Sequence, residues 1–443
     1  MSSNTHELSA QWSFSQTIGD DNGDQDKEQD YISAVAFSPN GAYVAVGNRS
    51  GKIWIHQERQ DKQIGVKRHY EHYTYFQSHK HDIDYLKSQY IAEKINMIRW
   101  CPNVHKSQML LSTNDKTIKL WKMFTHFMHN STNLHSGFIS DISQVRIPQL
   151  TDVDSVPACS LKCSFANAHI YHINSISLCT DHETFISSDD LRINMWNLTV
   201  PNISFNMVDL RPDNMDDLTE VITSAHFHPI HCHQLLFSSS RGLIRIMDMR
   251  EKALLSAPGI LLESDTDPST RSFFSEIISS ISDATYSPDG RFVASRDYLS
   301  VRIWDIHYPK RPLHVLPVHD AIKSCLSEVY ENDSIFDKFE ICASSTCSRR
   351  VVTGSYNNEA IIYNWDDHSV EKIAPVPTVD QNQAFSSFEV QSYDSTMMRR
   401  PDLVPQPSAA IDFDRKCLHV SWHPTDDVIA VASKTDLNIF QRR

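Results

Sequence analysis

The residues of this sequence that could do chemistry are carboxylates beside aromatic side chains. Asp189 and Asp190 are adjacent in one predicted turn, and Glu331 and Asp333 follow Tyr330. Ionised carboxylates attract Arg or Lys of a partner, and such a hydrogen bond contributes about 1.5–3 kcal/mol. These carboxylates therefore offer contacts to Arg or Lys of a partner. A turn aspartate is also often structural, so both interpretations stay open for the Asp189–Asp190 pair.

Two short segments have the residue types of metal ligands. These are His231-Cys232-His233 and the Cys159-x3-Cys163 spacing, and neither has a matching second pair. No Gly-rich phosphate loop, G-x-S-x-G or H-E-x-x-H motif occurs. We therefore expect no enzymatic activity, no metal and no cofactor, and we interpret the 23 histidines as scattered surface residues.

Glu331 and Asp333 lie at the end of a predicted helix. Apolar side chains recur there at helical spacing (Ile322, Leu326, Val329 and Tyr330), and Asp320 is placed to cap the start. Carboxylates at a helix C-terminus oppose the macrodipole by about 0.3–1 kcal/mol each. Their position indicates either docking or a solvated helix end.

Phe273 and Phe274 are adjacent in the segment 271–280. Two neighbouring residues of a strand point to opposite faces, so both cannot pack against one core. We therefore expect one ring to be exposed for a partner, the alternative being that both lie under a loop.

Internal repetition indicates which elements position these residues. One unit of alternating strands and small polar turns recurs seven times, at 32–56, 95–123, 173–198, 222–249, 281–306, 339–365 and 417–440. Alternation of this kind is typical of half-buried strands, and such units bury their faces by radial stacking. The fold class predicted is all-β: one seven-bladed WD-repeat β-propeller over 11–440, with loop and helix insertions between blades. The segment 11–17 is predicted to close the ring as the outer strand of the last blade.

The repeats are longer than the usual WD unit, so the excess is predicted to form loops and short helices on the faces of the disc. Four insertions stand out: 57–94, with a helical part, 124–163, 307–338, and 370–412, which is Pro- and Ser-rich and predicted to be flexible.

Charge and composition narrow the function classes. The 443 residues include 41 Lys and Arg against 55 Asp and Glu, a net charge of −14. This argues against nucleic acid or an anionic membrane as partner. The first residues lack the pattern of a secretory signal, no run approaches a membrane span, and nine cysteines are an odd count that is typical of reduced thiols. We expect a cytoplasmic location, with the nucleus as an alternative.

Several sequence segments are more specific than the general repeat pattern of a β-propeller. They include STNDKTIKLWK (112–122), DDLRIN (189–194), LTEVIT (218–223), RSFFSEIISSISD (271–283), RDYLSV (296–301) and TGSYNN (353–358). In their order and their residues, these segments resemble the B-type WD-repeat regulatory subunits of protein phosphatase 2A. The resemblance spans about residues 11–440 and is that of a divergent member of the family.

The resemblance implies a non-catalytic subunit of a heterotrimer with a helical-repeat scaffold subunit and the catalytic subunit. It implies recruitment of phosphoprotein substrates, and of inhibitor proteins with basic short helices, through an acidic groove on one propeller face. The docking residues implied are Asp190, Leu218, Tyr330, Glu331 and Asp333, followed by Tyr171, His172, Phe273, Phe274 and Lys338. The insertion 124–163 is expected to contact the scaffold. Because residues 124–160 contain few charges, a stand-alone WD-repeat adaptor is the alternative.

Overall fold

The computed structural model describes residues 12–19, 28–59, 68–84, 88–102, 107–132, 149–252, 254–255, 259–263, 273–375 and 411–442. The strands in chain order are β1 (Trp12–Ile18), β2 (Ile32–Phe37), β3 (Tyr43–Asn48), β4 (Lys52–Glu58), β5 (Tyr70–Gln77), β6 (Asp82–Asp84), β7 (Gln89–Ile91), β8 (Met97–Trp100), β9 (Met109–Thr113), β10 (Ile118–Thr132), β11 (Gln149–Phe165), β12 (Ser175–Leu178), β13 (Thr184–Ser188), β14 (Arg192–Asn197), β15 (Val200–Asp209), β16 (Ile222–Phe227), β17 (Gln234–Ser239), β18 (Ile244–Asp248), β19 (Ile260–Leu262), β20 (Asp283–Tyr286), β21 (Phe292–Arg296), β22 (Ser300–Asp305), β23 (His314–Pro317), β24 (Ile341–Ala343), β25 (Arg350–Gly354), β26 (Ala360–Asn364), β27 (Ser369–Ile373), β28 (Val420–Trp422), β29 (Val428–Ser433) and β30 (Asp436–Arg442). Helices α1 (Phe273–Ser279) and α2 (Leu326–Glu331) lie between blades, with short 3₁₀ turns at Glu28–Asp30, Met215–Asp217, Asp320–Ser324 and Ser334–Phe336.

The strands form seven four-stranded antiparallel sheets, which we call blades 1 to 7. They comprise β2–β5, β8–β11, β12–β15, β16–β19, β20–β23, β24–β27, and β28–β30 with β1. The first strand of each blade contacts the first strand of the next, and β28 contacts β2. This closed ring confirms the predicted seven-bladed β-propeller.

Strand β1 joins the two ends of the chain in blade 7. It runs antiparallel to β30, with Trp12 opposite Arg442 and Ile18 opposite Leu437. The Trp12 ring is buried and packs edge-on against Trp422, with centroids 5.6 Å apart. The last sheet is therefore completed by the N-terminal strand, an arrangement that covers an edge otherwise open to pairing.

The period-2 alternation of the repeats explains the packing between blades. In β3, Val44 and Val46 pack with Ala430 of blade 7, whereas the intervening Ala45 packs with Ile98 of blade 2. Successive residues of a strand point to opposite faces, so each sheet fills two interfaces at once. Every tryptophan except Trp54 is buried in this core, and the indole N–H groups of Trp196 and Trp304 donate to serine hydroxyls of the preceding strand.

Topology assigns each connection to one face of the disc. Within a blade the strands are antiparallel, so connections from second to third strand, and from one blade to the next, lie at the same end. We call this end the top face; it includes the turn 189–191, residues 210–221, α1 and α2. The other end, the bottom face, holds the first-to-second and third-to-fourth connections, including the β10–β11 hairpin.

Two expectations about the insertions were wrong. The predicted helical part before blade 2 is instead the strand pair β6–β7, in which Ile83 pairs with Tyr90 and Ser88 has a left-handed φ of 51°. The polar–apolar–polar order of Asp82, Ile83 and Asp84 was a strand signal there. The capping role of Asp320 is also wrong, because α2 begins at Leu326 and Asp320 lies in a separate 3₁₀ turn.

The insertion predicted at 370–412 lies largely outside the described residues, which resume at 411. Among the helices that are described, none is long and apolar enough to cross a bilayer.

Candidate functional site

Four aromatic side chains from two inter-blade insertions meet on the top face, and we call them the aromatic cluster: Phe273, Phe274, Tyr330 and Phe336. The Tyr330 ring lies 5.8 Å from the centroids of both Phe273 and Phe274, and 6.0 Å from that of Phe336. Phe273 is 70% exposed, Phe336 55% and Tyr330 39%. An exposed aromatic group of this kind is typical of a protein-binding surface.

Helix α1 places the two adjacent phenylalanines in different environments. Phe274 packs onto a small core that includes Val329 and Phe339, whereas Phe273 points away from it. The segment is a helix and not the strand assumed from sequence. One exposed ring and one anchoring ring result all the same, because adjacent helix positions also face different directions.

Two carboxylates lie beside the aromatic cluster. Glu331 ends α2 and Asp333 follows it, and both side chains are exposed. Asp333 has a left-handed φ of 56°, and its N–H donates to the Tyr330 carbonyl at 3.1 Å, which turns the chain sharply. Neither carboxylate forms an ion pair with any described residue. Both are therefore available to a basic partner.

The Asp189–Asp190 pair divides into one structural and one accessible carboxylate. Asp189 is completely buried and accepts hydrogen bonds from the N–H groups of Leu191 and Arg192, at 2.8 and 2.7 Å, and from His169 at 2.9 Å. Asp190 is half-buried at the surface of the same turn. Burial raises the pKa of Asp190, and the positive charge of Lys338 opposes that rise.

Lys338 connects Asp190 with the aromatic cluster. It is exposed, and its charge acts on Asp190 of blade 3 and on Lys94 just before blade 2. Lys338 is only two residues from Phe336, a reach of about 7 Å in extended chain. The aromatic cluster and Asp190 lie on the same face, and Lys338 is near both. The charge on this side of the top face is mixed, because Lys94 and Lys338 lie there together with Asp190.

The remaining predicted residues also lie on the top face. Tyr171 is half-buried, and His172 is exposed with its Nδ1 3.8 Å from an oxygen of Asp115. The influence of His172 on the pKa of Asp190 places them near each other. Leu218 is half-buried directly after the 3₁₀ turn Met215–Asp217, between blades 3 and 4.

Sequence reasoning missed Phe336. It lies in the same insertion as Tyr330, but six residues farther along, where no helical or strand period relates the two. The signal available was a large apolar residue within a strongly acidic loop, flanked by Asp333 and Asp337.

A second surface lies on the bottom face. Strands β10 and β11 continue past the blade as a two-stranded hairpin, paired from Ile118 opposite Phe165 to Thr132 opposite Gln149. Beyond the edge of β9 it exposes several apolar side chains, namely Phe124, Phe127, Met128 and Val156. Residues 133–148 lie outside the described part of the chain.

The described residues contain no group of three or more His, Cys, Asp or Glu side chains arranged to hold a metal ion. Cys159 and Cys163 both lie on β11, opposite Met123 and Leu120. The rings of His231 and His233 are 5.5 Å apart at their centroids.

Comparison with known proteins agrees with this architecture. The family model described as WD domain, G-beta repeat matches residues 24–57. Over 457 aligned residues, the chain is 43% identical to a Schizosaccharomyces pombe (strain 972 / ATCC 24843) protein described as the B-type regulatory subunit of protein phosphatase PP2A. The alignment covers 98% of each chain. With that identity over nearly the whole length, the chain belongs to the B-type regulatory subunits of protein phosphatase PP2A and is a regulatory, non-catalytic protein.

Proposed function

We propose that the top face recruits phosphoprotein substrates and inhibitor proteins to the phosphatase by binding a basic short helix. The observation that supports this most is the exposed aromatic cluster beside the unpaired carboxylates of Glu331 and Asp333. The apolar side of an amphipathic helix packs on Phe273, Tyr330 and Phe336. Its Arg or Lys side chains reach the carboxylates.

Asp190 adds a further carboxylate on this face, in the turn between β13 and β14 of blade 3. Its half-buried carboxylate lies beside Lys338, so a partner's basic residue competes with that lysine for it. Leu218, Tyr171 and His172 line the same side. A few charge-assisted bonds around an apolar anchor suit a micromolar, regulated contact, because each contributes only about 1.5–3 kcal/mol.

We further propose that the bottom-face hairpin contacts the helical-repeat scaffold subunit, which positions the catalytic subunit next to the propeller. Phe124, Phe127 and Met128 are exposed there, and the part of β10 that follows Lys122 contains no Asp, Glu, Lys or Arg. An apolar contact of this kind accounts for an insertion with few charges. Recruitment and assembly would then use opposite faces.

The test uses the reconstituted complex of this chain with scaffold and catalytic subunits. Dephosphorylation of a phosphopeptide attached to a basic amphipathic helix is compared with that of the same phosphopeptide without the helix. Asp190→Lys is expected to lower the rate for the first substrate about tenfold or more and to leave the second unchanged. Glu251→Lys, a charge reversal of an exposed residue after β18 on the bottom face, is the control.

Equal loss on both substrates, or failure of Asp190→Lys to assemble, would refute the recruitment role of Asp190. Absence of scaffold and catalytic subunits from native purifications of the wild-type chain would favour the stand-alone adaptor. Fractionation of the tagged chain tests the proposed cytoplasmic location against the nuclear alternative.

A further inference from the structure

Two cysteines of neighbouring blades lie together on the bottom face. Cys179 begins the turn after β12 in blade 3, and Cys232 lies in the loop between β16 and β17 in blade 4. The Cys179 thiol donates to the backbone carbonyl oxygen of Cys232, with the sulfur 3.5 Å from that oxygen. Strands β12 and β16 also contact each other directly, so the two loops are held side by side.

The two thiols differ sharply in access. Cys232 is exposed, whereas Cys179 is only 3% exposed and packs in the core shared by blades 3 and 4. Burial raises the pKa of the Cys179 thiol. Cys232 is flanked by His231 and His233 and is near enough to Arg250 for the two to interact electrostatically. The exposed thiol of Cys232 is therefore open to a dissolved oxidant, whereas that of Cys179 is not.

We propose that Cys232 and Cys179 form a reversible disulfide that responds to peroxide, with Cys232 as the reactive thiol and Cys179 as the resolving thiol. Both are free thiols in this structure. The sulfur of Cys179 already lies against the backbone of Cys232, and the bond forms when the exposed Cys232 side chain turns toward that sulfur and the loops bring the two Cβ atoms to about 3.5–4.5 Å.

The reaction balances in two steps with hydrogen peroxide as the oxidant. The Cys232 thiolate attacks one peroxide oxygen, the O–O bond breaks, and hydroxide leaves with a proton as water, which gives a sulfenic acid. The Cys179 sulfur, losing its proton, then attacks the Cys232 sulfur, and the S–O bond breaks with release of a second water. Two thiols are oxidised to one disulfide, one peroxide is reduced to two waters, and a dithiol reverses the change.

The disulfide adds a covalent link between two adjacent blades that otherwise hold together by packing and by hydrogen bonds, such as those from the Ala225 and Phe227 N–H groups to the hydroxyls of Ser175 and Ser177. It closes a loop between residues 179 and 232 and so restrains separation of blades 3 and 4 in the unfolding chain. This site does not depend on the proposed recruitment surface, which lies on the opposite face.

The experiment treats the purified full-length chain with hydrogen peroxide, blocks free thiols by alkylation and digests with trypsin. Cleavage after Lys162, Arg192 and Arg241 gives peptides 163–192 and 193–241, because Arg211 precedes proline and is not cut. We expect a linked pair of these peptides, lighter than their sum by two hydrogen atoms, that disappears with dithiothreitol.

Three variants identify the bond. Cys232→Ser and Cys179→Ser are expected to abolish the linked pair, whereas Cys163→Ser, which removes the other cysteine of peptide 163–192, is expected to retain it. Cys232→Ser changes an exposed residue, so its folding does not limit the test. Persistence of the link in Cys179→Ser, or oxidation of Cys232 to a sulfinic acid with Cys179 still open to alkylation, would overturn the proposal.

Discussion

The Nδ1 atom of His169 lies 2.9 Å from a carboxylate oxygen of Asp189, and both side chains are shielded from water. The other ring nitrogen of His169 lies 2.6 Å from the Ser187 hydroxyl, which also accepts a bond from the Trp196 indole N–H. Burial by itself works to raise the pKa of Asp189, but the bonds from His169 and from two backbone N–H groups outweigh it and lower the pKa. This chain of bonds holds the turn that presents Asp190.

We expect Asp189→Ala to lower the free energy of unfolding by about 3 kcal/mol, because it leaves His169 and two backbone donors buried without an acceptor. Asp190→Ala should change it by less than about 0.5 kcal/mol, since that carboxylate is at the surface. Chemical denaturation of both variants measures the difference. Similar losses in the two would show that Asp190 is structural as well.

Four buried histidines with lowered pKa values predict that the stability of the fold depends on pH. Burial, with a smaller contribution from nearby positive charge, lowers the pKa of His56 and His423 to about 4 and of His79 and His319 to about 3. Between those values and about 6.5, the unfolded chain binds more protons than the folded one. Stability is therefore expected to fall as pH drops from 6.5 toward 4, by at most about 1.4 kcal/mol per pH unit for each histidine.

His56→Leu isolates one of these contributions. The Nδ1 of His56 has no hydrogen-bond partner among the described residues, so an apolar side chain of similar size loses little at pH 7.5. Denaturation at pH 7.5, 6.5 and 5.5 should show a shallower loss in the variant than in the wild type. His126→Leu, at an exposed position on β10, is the control. If the free energy of unfolding fell equally with pH in His56→Leu and wild type, His56 would not contribute to the pH dependence.

The ring could be predicted from sequence because its signals are local. Alternation in segments such as Tyr43–Asn48 dictates both the strand and the two faces that it buries. What could not be predicted depends on distant partners. Phe273 and Tyr330 meet across 57 residues of chain, and Asp189 differs from Asp190 in its bond to the distant His169, which adds to the local bonds from the Leu191 and Arg192 N–H groups. No period in the sequence encodes either contact.

Phe336 is expected to bind the recruited helix together with Tyr330. Phe336→Ala should weaken binding of a basic amphipathic peptide about thirtyfold, because truncating an aromatic anchor costs about 2 kcal/mol. Fluorescence anisotropy with the labelled peptide measures the affinity. Phe205→Ala, which removes a comparably exposed ring from β15, should leave it unchanged. Equal weakening by both variants would mean that the peptide binds exposed aromatic side chains nonspecifically.

The hairpin should serve assembly and not recruitment. Phe127→Asp places a charge on its exposed apolar surface and is expected to reduce co-purification of the scaffold subunit about tenfold or more, with peptide affinity unchanged. Val315→Asp on β23, an exposed residue of another outer strand, is the matched control. Wild-type scaffold binding by Phe127→Asp would place the assembly contact elsewhere on the propeller.

Closure of the ring through β1 is expected to control the stability of blade 7. Trp12→Ala removes a ring that is buried against Trp422, and such a truncation costs about 3–5 kcal/mol. Because β1 is the outer strand of that blade, amide exchange should accelerate first in β28–β30 and only later in blades 3 and 4. Tyr308→Ala, at a ring that is 73% exposed, should alter neither quantity. Uniform acceleration across all blades would instead mean that the propeller opens as one cooperative unit, and that β1 contributes packing without acting as a separate latch.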